Sequence, residues 1–181
     1  MTLPPGLRKF VLTTHITASV GWLGAVAGFM ALAVAGLRSE EADTLRAAYL
    51  TMPLVGWFVI VPLSLASLLT GLVQSLGTSW GLFRHYWVLA KLVINVLATI
   101  VLLLHMQPVS HLSRIAAETP LSLAGFGRLR VQVLADAGLA LLVLLLATTL
   151  AVYKPRGLTP HGWRKQQERR PPARQAALSQ P

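Results

Sequence analysis

Four long apolar runs dominate this chain: residues 10–37, 49–77, 85–106 and 131–153, the third broken only by Lys91 and the fourth only by Asp136. Each exceeds the ~20 residues a helix needs to cross a ~30 Å hydrocarbon core. A soluble helix of that length would show a polar face every turn, and these do not. Hydrocarbon leaves backbone amides no water to bond, so such runs must be helical. The spacing therefore predicts an all-α, four-helix transmembrane bundle as one domain, residues 1–153. The 54% apolar and 12% charged composition agrees, since ordinary soluble domains carry roughly twice that charged fraction. The first run is too long for the h-region of a signal peptide.

The connections carry the turn chemistry. Ser39 is an N-cap candidate ahead of Glu40, Glu41 and Asp43, acids that suit a helix N-terminus. Pro53 falls close to the first turn of the second run, where proline is tolerated. Pro62 falls inside it and predicts a kink. Residues 78–82 form a short turn, which makes helices two and three antiparallel neighbours. Pro108 to Arg130 reads as a longer link with a short interfacial helix near 109–117. Residues 154–181 hold five prolines and clustered basic residues, a disordered tail.

Charge sets orientation and partners. The N-terminus, second loop and tail carry ten Lys and Arg; the first and third loops carry five. That places both termini in the cytoplasm of a multi-pass protein in the bacterial cell membrane. The net charge of +10 is concentrated in the tail, with seven of sixteen basic residues. It reads as contact with anionic lipids and not nucleic acid, because no folded basic module accompanies it. The absence of cysteine excludes disulfides, thiolate metal sites and cysteine catalysis. In the first helix Ala18, Gly21, Ala25, Gly28, Ala31 and Ala35 recur at three- and four-residue steps. Such a stripe admits close approach of another helix, of a partner protein or of a second copy.

Ionisable groups inside the apolar runs are the functional candidates. His15 lies six residues beyond Lys9, and Lys91 seven beyond Arg84, which puts both on the order of 10 Å inside their helices. Helices one and three start on the same side, so the match in depth holds for either insertion. His15, Ser19 and Trp22 share one face of helix one. Lys91, Asn95, Thr99, Leu102 and His105 form a polar-rich stripe on helix three that should face the bundle interior. Against this stands a structural reading, a snorkelling lysine and a histidine bonded to a neighbouring helix. Toward the opposite side, His105 near the end of the third run and Asp136 in the fourth suit a hydrogen bond, an ion pair or a metal. Met30 and Met52 lie toward the same side, and imidazole with thioether suits copper or haem iron. His111 reads as a loop residue and His161 as solvated. Two histidines at one depth on facing helices, the usual pair of haem ligands, are not evident. Haem would need His–Met, His–Lys or single ligation.

The stretch Trp80-Gly-Leu-Phe-Arg-His-Tyr-Trp-Val-Leu-Ala-Lys-Leu-Val93 continues to Leu104-His105, with His15 six residues before Gly21-Trp22-Leu23-Gly24 on helix one. This pattern resembles a bacterial family of small four-helix membrane proteins without an assigned function, over roughly residues 8 to 153. More distantly it is similar to the HemJ-type protoporphyrinogen oxidases and to the membrane domain of copper-resistance D proteins. The HemJ resemblance implies functional roles for His15 and Lys91 and an association with haem b. The chain lacks the aromatic residue and charged segment expected after helix one in that family, so the resemblance extends to haem- or porphyrin-related membrane function and not to haem synthesis.

Three expectations follow. The first is a redox-type membrane protein that binds haem b or a porphyrin through His15, Ser19, Lys91, Asn95 and His105, with His15 and Lys91 as the catalytic candidates. The second is a non-enzymatic subunit or copper-type metal-handling protein using His105 and Asp136. The third is a structural bundle that binds a partner through the small-residue face.

Overall fold

The computed structural model describes residues 3–77, 85–118, 126–153, 157, 159, 160, 163 and 164. The expectations for the 78–82 turn, for His161 and for most of the tail lie outside the described residues. Four helices are long and apolar enough to cross a membrane: α1 (Pro5–Arg38), α2 (Ala42–Gly77), α3 (Tyr86–Glu118) and α4 (Gly127–Tyr153). There is no β-strand among the described residues. The protein is a four-helix membrane bundle. α1 packs on α2 and α4, and α3 packs on the same two, so α1 and α3 face each other across the diagonal. Short connections between successive antiparallel helices produce this order.

The helices are longer than their apolar runs, and the reason lies at one end of the bundle. α2 begins at Ala42 and not at 49. α3 passes through Pro108 without a break to Glu118, so the expected link and interfacial helix are one continuous helix. Val109, Leu112 and Ala116 explain the extension: each is fully enclosed against neighbouring helices, with Tyr49, Met52 and Val133 in the same core. Tertiary burial thus outweighs the lost donor of Pro108. Ser39 is not the N-cap of α2. Its backbone N–H donates to the Ala35 carbonyl at the end of α1, and its hydroxyl accepts the N–H of Glu41, which is the N-cap residue of α2.

Pro53 stands well inside α2 as a result of the earlier start. Pro62 is accommodated by a π turn over Gly56–Ile60, in which the Val61 N–H donates to the Gly56 carbonyl. The wider turn absorbs the register change that a proline imposes. Gly56 lies against the end of the Met106 side chain of α3, which would have to shift to admit a Cβ there.

Two arginines from neighbouring helices close the helix C-termini at this end. Arg130 Nη2 donates to the carbonyls of Gly36 (2.6 Å) and Leu37 (3.2 Å), and its Nε donates to the Tyr49 hydroxyl (3.0 Å). Gly36 lets the Tyr49 ring lie flush on α1, where a Cβ would come within 2.8 Å of it. Arg46 Nη2 reaches the Ala117 carbonyl at 3.1 Å. Each guanidinium satisfies carbonyls that a helix end leaves unpaired and sits at the negative end of the dipole. The small-residue stripe of α1 divides: Ala18 is buried and Gly21 meets Leu63 of α2, while Gly28, Ala31 and Ala35 face outward.

Candidate functional site: two polar layers within the bundle

His15 is held from α2. Its Nδ1 lies 3.1 Å from the Ser67 carbonyl and 3.1 Å from the Thr70 hydroxyl. A carbonyl only accepts, and the Thr70 hydroxyl already donates to the Ala66 carbonyl. Nδ1 must therefore carry the proton. In a neutral ring the lone pair is then on Nε2, which has no hydrogen-bond partner among the described residues. Gly71 makes room for the ring, since a Cβ there would lie 3.1 Å from Cε1. One turn further along α1, the Ser19 and Ser67 hydroxyls bond at 2.8 Å. The expected face of His15, Ser19 and Trp22 is thus real and directed into the bundle, with Trp22 buried.

Lys91 on α3 lies at the same depth as His15 on α1. Register explains this. Phe29 of α1 and His105 of α3 make an edge-to-face ring contact at 6.5 Å. His105 follows Phe29 by 76 positions, and Lys91 follows His15 by the same 76. Between parallel helices, equal offsets mean equal depth. The 14-residue step between the layers also returns each helix to nearly the same face, within about 40°.

The second layer lies about 21 Å deeper along the axis. His105 Nδ1 is 3.0 Å from Asp136 Oδ2 of α4, so the expected pair forms. Because α3 continues to Glu118, His105 is not near the end of its helix but in its interior. Its side chain is 13% exposed. Its Nε2 is buried and has no hydrogen-bond partner among the described residues. Among the described residues no group of three or more His, Asp or Glu is placed to hold a metal. Asp136 is bonded to Nδ1 and stands behind the imidazole, the position of an outer partner that orients a histidine ligand. His111 stands on α3 and not in a loop; it is exposed, 3.4 Å from Arg114 Nη2. Met52 is enclosed in the core, and Met30 packs against its edge.

The layers differ in packing. Around His105 the core is closed: Phe29, Met52, Met106 and Val133 are all at most 4% exposed. Around Lys91 it is not. No residue of α3 before Thr99 is buried, and His15, Ser19, Thr70, Lys91 and Asn95 are all half-buried. The polar end of the bundle is therefore loosely closed, with an imidazole nitrogen and an ammonium on facing helices. Sequence reasoning missed Ser67, Thr70 and Gly71, the residues that position His15. Small and hydroxyl side chains in an apolar helix are the signal that marks them. Compared with protein-family models, curated proteins and solved structures, the chain matches none.

Proposed function

We propose that this is a redox-type membrane protein that binds haem b or a porphyrin in the layer formed by His15, Ser19, Lys91 and Asn95. The observation that carries the reading is the anchored His15, whose Nδ1 is committed to Ser67 while Nε2 keeps an unused lone pair. An imidazole oriented through one nitrogen by a backbone carbonyl is the arrangement by which proteins present the other nitrogen to a metal. The residues fit such a group. His15 would supply a nitrogen donor and Lys91 a positive charge for a propionate, in surroundings less enclosed than the His105 layer. Haem would supply one-electron chemistry at iron. The chain holds the group in place, and Thr70 and Ser67 fix the ring. In this reading both termini face the cytoplasm and the layer lies toward that side of the cell membrane.

A second reading is favoured by the 3.0 Å His105–Asp136 pair and the unpartnered Nε2 behind it. There the protein is a metal-handling subunit of copper type, with His105 as ligand and Asp136 as its orienting carboxylate. Absorption spectra of the full chain in mild detergent, oxidised and reduced, separate the two. A Soret band abolished by His15→Ala and retained in His105→Ala supports haem in the first layer. A protein that stays colourless after haem supplementation, with bound copper lost in His105→Ala, overturns it in favour of the second.

A further inference from the structure

The chain has six acidic side chains: Glu40, Glu41, Asp43, Glu118, Asp136 and Glu168. Glu40, Glu41 and Asp43 lie at the far end of the bundle, where α1 hands over to α2. Glu118 ends α3, 27 residues beyond Lys91, which is about 40 Å along the helix. Asp136 is bonded to His105, one layer of about 21 Å away. Glu168 lies in the tail beyond the described residues. Lys91 has no carboxylate to pair with among the described residues, and the ionisable group at its depth on α1 is His15, of the same sign when protonated. An unpaired ammonium half-buried in an apolar bundle is costly unless an anion pairs with it.

We propose that Lys91 is the receptor for the acidic head of a membrane-dissolved amphiphile, a carboxylate or phosphate carried on an apolar tail. The proposal rests on the His15–Lys91 layer being the ligand site, but not on the ligand being a porphyrin. Two features favour an amphiphile over a small aqueous anion. The layer is membrane-embedded. Its polar groups (His15, Ser19, Thr70 and Asn95) are few and gathered in the interior. A tail in the surrounding lipid keeps its hydrocarbon environment while the head reaches Lys91. A free anion would lose its hydration and gain only the one ion pair.

The test uses colourless full-length protein in zwitterionic nanodiscs, with cis-parinaric acid and its methyl ester as probes, read by energy transfer from tryptophan. The acid is expected to bind about tenfold more tightly than the ester, the ratio one unscreened ion pair supports. Lys91→Gln should bring the acid down to the affinity of the ester, and Lys91→Arg should keep the preference, which separates charge from folding. Equal binding of acid and ester by the wild type overturns the proposal, as does a preference that survives Lys91→Gln. Displacement by an equal concentration of sodium acetate also overturns it, because the site would then take any small oxyanion. A Soret band without acid preference sinks this proposal alone, and acid preference without a Soret band sinks the haem reading alone.

Discussion

Single side chains in this bundle do two separable things, tie helix ends together and place polar groups inside hydrocarbon. Arg130 illustrates the first, reaching from α4 to the last carbonyls of α1 and to Tyr49 at once. The sequence presents Arg130 only as one of several loop charges, since its partners are 81 to 94 positions away. His105 and Asp136 illustrate the second. Their pairing is legible in the sequence, because a carboxylate and an imidazole in neighbouring apolar helices have few other partners. Removing Asp136 should leave His105 with both ring nitrogens unsatisfied, a cost on the order of 1–3 kcal/mol, moderated because the Asp136 side chain is 38% exposed. Thermal unfolding in detergent is therefore expected to shift down by several degrees for Asp136→Ala. The shift should be much smaller for the double variant His105→Phe with Asp136→Leu, where no buried polar group is left alone. An unchanged midpoint for Asp136→Ala would show that the pair contributes nothing.

At the scale of the element, the departures from expectation concern where helices stop. Apolar periodicity locates the spans well, but it ends α3 at 106 and starts α2 at 49, because charge and proline beyond those points resemble loop. The extensions exist only because Tyr49, Val109, Leu112 and Ala116 enclose one another. No local pattern announces that. Pro62 was legible as a disturbance of α2, whereas its form, a π turn directly before it, depends on the fit of Gly56 against Met106. Gly56→Val should therefore destabilise the bundle by about 1–3 kcal/mol through overpacking. Combining it with Met106→Ala should recover part of the loss. A double variant no more stable than Gly56→Val alone would mean that the glycine serves backbone geometry and not the contact with α3.

Across the whole molecule the bundle is asymmetric, closed and apolar around Met52 and Met106, loosely packed and polar around His15 and Lys91. The chain has no cysteine, so single substitutions report accessibility without background. Asn95→Cys is expected to react with a water-soluble maleimide in detergent or nanodiscs, while Leu112→Cys, fully enclosed, should stay protected until the protein unfolds. Comparable labelling rates at both positions would mean that the two halves are equally closed and would remove the structural basis for a ligand at Lys91.

By itself the sequence determined the number of spans, their order and the shared depth of His15 and Lys91. These depend on apolar length and helical rise, quantities that each helix carries alone. It also set out the inward stripe on α3, since period 3.6 needs no partner. Only the tertiary structure decided which groups His15 bonds, how far the helices run, and that α1 and α3 meet across the diagonal in register. Those are properties of contacts between segments 50 or more residues apart, governed by shape and by which carbonyl or hydroxyl happens to face the ring.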